Sequence, residues 1–303
     1  MNENRYNSLN AYLRAEYGEK IYKLALVGGT TCPNRDGTKG YGGCIFCGEG
    51  SGSFAAATID EAIARLQNKK TGSRYIAYFQ SYTSTYKITE ELKTRFFETA
   101  NDDRIAIISI ATRPDCLDDE TMSILHELRK IKPVWVELGL QTCHERTAEL
   151  INRGYPLQVF EDAVNKLNAL NIEIIVHLIL GLPGESEEDI IDTVYYINSQ
   201  RIQGVKFQLL HILEHTRMAQ MYKDGLLSWP QTGRKYPLTL DKYADLICRC
   251  LNNLRSDIIV HRLTGDGIKR DLIAPEWSGD KKKVLNTITR RMEETGVRQG
   301  RDV

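Results

Sequence analysis

The sequence predicts an α/β fold built on a parallel sheet, and two observations carry that reading. Near-continuous apolar runs such as 105–110 (IAIISI) and 172–180 (IEIIVHLIL) suit strands buried on both faces, the habit of parallel sheets covered by helices. Strand candidates at 21–27, 74–79, 104–110, 134–140, 172–180 and 204–210 recur, after the first, about every 30 to 40 residues, the span of one βα repeat. Six repeats are too few to close an eight-stranded barrel. An open parallel barrel and a doubly wound sheet remain, and in either the chemistry belongs at the carboxyl ends of the strands.

Residues 1–20 are expected to form an N-terminal helical segment ahead of a core spanning 21–215. Between the strands lie helices with recognisable starts. Thr58 with Glu61, and Ser186 with Asp189, have capping-box spacing, while Asp118 can cap the helix carrying Met122, Leu125 and Leu128. Past Leu210 the pattern changes. Gly225, Trp229, Pro230, Gly233 and Pro237 mark an irregular connection. A helix at 241–254, a strand at 257–263, a turn with Gly265 and Gly267, and a basic helix at 281–294 follow. Residues 216–303 are thus expected to be a C-terminal α/β extension packed on the core, a candidate for substrate binding.

The 303 residues are 42% hydrophobic and 26% charged, which excludes disordered and fibrous classes. Lysine plus arginine equals aspartate plus glutamate at 40 each, so bulk charge does not drive binding to polyanions. The balance is uneven, because 281–302 carries seven cations against three anions. No run approaches the roughly 18 apolar residues of a membrane span, and the N-terminus lacks a signal peptide's apolar core and cleavage site. The expectation is a cytoplasmic protein. There its seven cysteines would be reduced, acting as ligands, reactive thiols or core fillers.

The strongest signal is the loop after the first strand. Cys32, Cys44 and Cys47 form a C-x11-C-x2-C pattern among Gly28, Gly29, Gly37, Gly40, Gly42, Gly43, Gly48, Gly50 and Gly52. A glycine-rich backbone can fold closely around a large cofactor. Three thiolates there suit an iron–sulfur cluster with one open iron. A structural zinc ion needs a fourth ligand, but the next cysteine is Cys116 and the first histidine His126. In WVELGLQT, Glu137 and Gln141 are four apart and share a strand face, so both can point into a barrel. An unpaired buried Glu in an apolar strand would be costly.

With YFQSYTSTY, WVELGLQT, INRGY and VHLILGLPGES in order at successive strand ends, the chain resembles radical SAM enzymes, in the branch related to the Elongator catalytic subunit. The C-terminal strings HRLTGDG and IAPEWSGDKKKVLN are similar to those of the bacterial YhcC/YtqA-type proteins. Most of the superfamily carries C-x3-C-x2-C; the wider first spacing departs from it but is shared by this branch. The resemblance implies a partial (β/α)6 radical SAM barrel with a C-terminal extension, and a [4Fe–4S] cluster on Cys32, Cys44 and Cys47. It implies S-adenosylmethionine held through its amino group by Gln80 and Ser81, and through its carboxylate by Arg153. Glu137 and Gln141 would contact its ribose and methionine moiety. Gly181 and Gly184 would let the backbone approach adenine, framed by backbone near Leu210 and Ile212.

Other residues keep two readings. His177 is either a site residue pointing inward or a satisfied core histidine. Cys116 and Cys143, at the ends of strands three and four, are either radical-quenching or substrate-binding thiols or small hydrophobes. Arg113 follows strand three with its role open. Cys248 and Cys250 are two apart on a helix and cannot easily share a metal. The resemblance further implies tRNA as substrate, with 5-carboxymethylaminomethyl converted to 5-aminomethyl on the wobble uridine. Flavodoxin or ferredoxin would be the electron donor, and neither membrane nor DNA is expected as a partner. The alternatives are a radical SAM enzyme for a small metabolite or protein, and a non-catalytic metal-holding RNA-binding module, which Glu137 and Gln141 disfavour.

Overall fold

The computed structural model describes residues 5–29, 31–48, 55–66, 72–230, 236, 238–265 and 269–303. Gly50, Gly52, Gly233, Pro237 and Gly267 lie outside the described residues. After helix α1 (Leu9–Tyr17), strands and helices alternate: β1 (Tyr22–Leu26), α2 (Ile59–Ala64), β2 (Tyr75–Phe79), α3 (Glu90–Asn101), β3 (Ile105–Thr112), α4 (Asp119–Ile131) and β4 (Val134–Gln141). Then come α5 (Glu145–Leu150), α6 (Leu157–Ala169), β5 (Glu173–Leu180), α7 (Glu187–Ser199) and β6 (Gly204–Leu209). The remaining elements are β7 (Ile212–Leu213), α8 (Arg217–Lys223), α9 (Leu240–Asn252), β8 (Ile259–Arg262), β9 (Leu272–Ala274) and α10 (Lys281–Thr295).

The six expected strands pair in chain order, all parallel, and β8 joins β6 as a seventh parallel strand. The sheet is therefore one strand wider than the six-repeat expectation, the extra strand coming from the C-terminal segment. It is also curled. Neighbouring strands lie about 4.8 Å apart, so β2 and β6 would be about 19 Å apart in a flat sheet. Yet Lys206 Nζ on β6 sits 4.3 Å from the centre of the Tyr78 ring on β2. The strands wrap into an open barrel with an interior.

Alternation divides the strand residues between two faces. Leu24, Phe79, Ile110, Val136, Val176 and Phe207 face out and join one core with Phe96, Leu125, Phe160, Val194 and Ile288 of the helices. Inside, Ile76, Ile107, Trp135 and Ile175 pack with Leu13 of α1, which plugs the amino end of the barrel. The N-terminal segment is bound to the far end of the chain, Asn7 N–H donating to Gln299 Oε1 at 2.8 Å and Val260 N–H to the Asn7 carbonyl at 2.8 Å.

Helix starts follow the sequence signals, with one difference. Asp118 accepts from Thr121 N–H at 2.8 Å, and Ser186 with Asp189 forms a full reciprocal capping box. Thr58 accepts from Glu61 N–H, but the Glu61 carboxylate reaches past it to Ala57 N–H at 2.9 Å. The connection after Leu210 is more ordered than expected: it contains α8 and the small antiparallel pair of β7 and β9. No helix among the described residues is long and apolar enough to cross a membrane.

Candidate active site

The cysteine loop leaves β1 at the carboxyl end of the barrel and folds back on itself. Arg35 and Asp36 N–H donate to the Cys32 carbonyl at 2.8 and 3.2 Å, Gly43 N–H to the Asn34 carbonyl, and Cys47 N–H to the Cys44 carbonyl at 2.9 Å. The loop begins beneath the turn after β2. A Cβ on Gly29 would lie 2.2 Å from the Thr83 carbonyl oxygen, which leaves no room for any other residue. Buried Asn34 spans the loop, its Nδ2 donating to the Asn152 carbonyl at 2.6 Å and lying 3.9 Å from Cys44 Sγ. Asn152 Nδ2 returns a bond to the Gly43 carbonyl at 2.7 Å.

This folding brings the three thiols together. The free thiols of Cys44 and Cys47 share a hydrogen bond, which together with burial drives Cys44 well up and, against burial, holds Cys47 below the ordinary thiol value. Cys32 is near enough for its charge to act on Cys47 and on Arg113. Positive charge surrounds them. Arg35 donates to the Cys47 and Gly48 carbonyls at 2.8 and 2.9 Å and favours the Cys47 thiolate, and Arg113 favours that of Cys44. Three thiols with arginine charge beside them are a donor set that suits an iron–sulfur cluster with one open iron.

At the same carboxyl end of the barrel is Gln141, the last residue of β4, with a left-handed φ of 65°. Its Oε1 is buried and has no hydrogen-bond partner. An orphan buried acceptor costs about 1–3 kcal/mol, and strain of this kind gathers at binding sites. A ligand donor such as an amino group would satisfy it. Gln80 is half-buried and Ser81 buried in the turn after β2, beside the start of the cysteine loop.

Four of the expected site residues have partners within the protein. Glu137 is engaged by four side chains. It lies inside the barrel below the mouth, where Oε1 accepts from Lys23 Nζ at 2.8 Å and Ser109 Oγ at 2.7 Å. Its Oε2 meets His177 Nε2 at 2.7 Å and accepts from Lys206 Nζ. A carboxylate offers about four lone-pair sites, and these partners take them all. Arg153 is likewise committed: it donates to the carbonyls of Tyr155, Leu140 and Thr142 at 3.1, 3.1 and 2.7 Å, and to Glu145 Oε2 at 3.3 Å. It clamps the turn after β4. Gly181 is covered, because its carbonyl accepts from Trp229 Nε1 at 3.0 Å and a Cβ on it would meet Leu238 and the Tyr236 hydroxyl within 3.0 Å. Both backbone groups of Leu210 are used, its N–H by Leu180 and its carbonyl by Tyr236 Oη at 3.0 Å.

The two-sided readings also resolve in position. His177 belongs to the interior network; burial first, then Lys206, lowers it to about 4, so it is neutral near pH 7. Burial pushes the Cys116 thiol up to about 12 and raises Cys143, which lies 3.3 Å from Thr193 Oγ1. Both stay protonated. Arg113 forms a two-pronged pair with Asp115 at 2.9 and 3.0 Å, and its guanidinium, like that of Arg153, lies within 5 Å of the Tyr155 ring centre. Cys248 and Cys250 are buried on α9.

Sequence reasoning passed over Lys23, Lys206, Asn34 and Arg35. The signal for the lysines was present: each is the one charged residue of its strand, YKLAL and GVKFQL, as Glu137 is of VWVELGLQ.

The profile of the Radical SAM superfamily matches residues 27–197, and that of the Radical_SAM C-terminal domain residues 202–294. The chain belongs to the radical SAM superfamily. Superfamily members are enzymes that use a [4Fe–4S] cluster and S-adenosylmethionine, and this chain is one of them. It is 42% identical to the protein YtqA of Bacillus subtilis over 307 residues, 99% of this chain and 93% of YtqA. A shorter stretch of 131 residues is 26% identical to a tRNA uridine(34) acetyltransferase of Methanocaldococcus jannaschii, 42% of this chain and 24% of that enzyme. Among solved structures, Elp3 of Methanocaldococcus infernus superposes with a TM-score of 0.65 at 16% identity, over 79% of this chain and 58% of that one, a likeness of fold.

Proposed function

We propose that this radical SAM enzyme modifies tRNA at the C5 side chain of the wobble uridine, converting 5-carboxymethylaminomethyl to 5-aminomethyl. The observation that carries the site is the meeting of Cys32, Cys44 and Cys47 at the end of the barrel that also carries Gln141, whose buried Oε1 lacks a donor. The three cysteines would hold the cluster, and Gln80, Ser81 and Gln141 would hold S-adenosylmethionine. When bound, the pair supplies a 5′-deoxyadenosyl radical that takes a hydrogen atom from substrate. Asn34 and Arg35 fix the loop carrying the thiols, and Arg113 with Arg35 offsets thiolate charge. The barrel walls exclude water around the reacting atoms.

Support for tRNA comes from the partial likeness to a tRNA uridine(34) enzyme and the resemblance to the Elongator branch. The chemistry agrees: hydrogen abstraction from the methylene between the amine and the carboxylate would give a radical stabilised from both sides. Loss of one further electron to an oxidised one-electron carrier such as flavodoxin or ferredoxin would give an imine. Water would split its C–N bond to leave the 5-aminomethyl group and release glyoxylate. An anticodon loop is single-stranded, so presenting its base costs little. Flavodoxin or ferredoxin would deliver the electron. The test is to incubate reduced enzyme with tRNA bearing 5-carboxymethylaminomethyluridine. Formation of 5-aminomethyluridine together with 5′-deoxyadenosine is expected. An untouched nucleoside, with deoxyadenosine formed equally with and without that tRNA, contradicts the substrate and leaves a small metabolite or protein in its place.

A further inference from the structure

Inside the barrel one carboxylate answers two ammonium groups. Lys23 on β1 and Lys206 on β6 both donate to Glu137, on different oxygens. Burial pushes Glu137 up, but the two lysines outweigh it and keep it ionised. An ammonium has three N–H donors. Among the described residues Glu137 supplies the one oxygen acceptor of each lysine; otherwise both face the Tyr78 ring, with Nζ 5.0 and 4.3 Å from its centre. The Lys206 side chain is 4% exposed, so its other donors do not turn to bulk water. Burial first, then Lys23 and Arg262, pushes Lys206 well below the ordinary lysine value against the pull of Glu137, so a second anion beside the two lysines would relieve the cost of holding their charge in a buried place.

The position suits a ligand entering from the mouth. Lys23 and Lys206 lie three residues before the ends of β1 and β6, so at about 3.3 Å per residue they sit roughly 10 Å below the cysteine loop. Beneath them the Trp135 and His261 rings, 5.0 Å apart, close the interior.

We propose that Lys23 and Lys206 form a carboxylate-binding floor that receives an acidic group carried into the barrel by the substrate. The source of that carboxylate, the carboxymethyl group of the modified uridine, rests on the tRNA reading above; the anion chemistry rests on the barrel. The methionine carboxylate of S-adenosylmethionine is the competing source, and depth separates the two.

The test has two arms. In the first, holoenzyme carrying 15N-lysine is titrated with glycine, with methylamine and with S-adenosylhomocysteine, the Lys23 and Lys206 signals being assigned through K23R and K206R. Glycine should shift both signals, and the other two should leave them in place. Signals unmoved by glycine, or moved as far by S-adenosylhomocysteine, overturn the inference. In the second arm, anticodon stem-loops bearing the 5-carboxymethylaminomethyl or the 5-aminomethyl side chain are bound to the same enzyme. The wild type should prefer the first by about tenfold or more, and Lys206→Gln or Lys23→Gln, checked for iron content, should reduce the preference to about twofold. Equal binding by the wild type, or preference kept in both variants, overturns it. If neither RNA is converted, the tRNA reading fails alone, and the glycine titration still decides the floor.

Discussion

A carboxylate is held inside a barrel only when something returns the hydration it has lost. At Glu137 that return comes from Lys23, Ser109, His177 and Lys206 on four different strands, so the residue ties β1, β3, β5 and β6 to β4. Removing its charge strands the Lys206 ammonium. Glu137→Gln should therefore destabilise the fold by about 3–5 kcal/mol in denaturant titrations, and a loss under about 1 kcal/mol would contradict this role. Gln141 is the opposite case, an acceptor with no partner. Gln141→Ala should weaken S-adenosylmethionine binding roughly 5- to 150-fold, by calorimetry, with cluster content unchanged. Glu185 gives a pH signature. Burial, opposed by Thr142, raises its carboxyl from 4.5 to about 7. Between those values the folded state keeps a proton that the unfolded state has lost, so this group costs stability progressively as pH rises from 4.5 to 7, by up to about 3 kcal/mol. In Glu185→Gln the melting temperature should fall less between pH 5 and pH 8 than in the wild type; an identical fall would contradict the shift.

At the scale of elements, the connection after β6 acts as a cover. Trp229 packs with Ile45 of the cysteine loop, Leu182 after β5 and Met218 of α8 in one cluster, and its indole bonds to the Gly181 carbonyl. Ile45 is held a second time, by Met218 N–H donating to its carbonyl at 2.8 Å. Truncating the indole should cost about 3–5 kcal/mol and loosen the loop that carries the thiols. Trp229→Ala should then lose iron faster than the wild type on gel filtration, and equal retention would show that the cover does not brace the loop. On α10, Lys282 and Lys283 flank Asn286, Thr287 and Arg290 along a surface groove. Neutralising Lys281, Lys282 and Lys283 should weaken tRNA binding alike across sequences and lower the salt slope by about one unit for each phosphate left without its cation. An unchanged slope would place the RNA elsewhere.

Across the whole molecule, the parts legible in the sequence are those set by local pattern. Strand runs such as 105–110 declared a two-sided environment, and Ser186 with Asp189 declared a helix start, because each signal is complete within a few residues. The cysteine spacing declared the mouth of the barrel for the same reason. What stayed hidden depends on strands distant in sequence meeting in space. That Glu137 is saturated follows from Lys23, 114 residues away, and Lys206, 69 residues away. That Gly181 and Leu210 are covered follows from Tyr236 and Trp229, in a segment whose turn residues announced only irregularity. The seventh strand was visible as a strand, but its pairing with β6 is a property of the closed fold.

The central claim is that Cys32, Cys44 and Cys47 hold the cluster on which S-adenosylmethionine is cleaved. Iron and sulfide analysis of anaerobically prepared protein, with electron paramagnetic resonance of the reduced state before and after adding S-adenosylmethionine, tests it most directly. The wild type and Cys248→Ala should carry about four irons and four sulfides per chain, with a signal that changes on addition. Cys32→Ala, Cys44→Ala and Cys47→Ala should lose both the cluster and the signal. Full cluster content in Cys44→Ala, or one zinc ion per chain without sulfide in the wild type, would contradict the account.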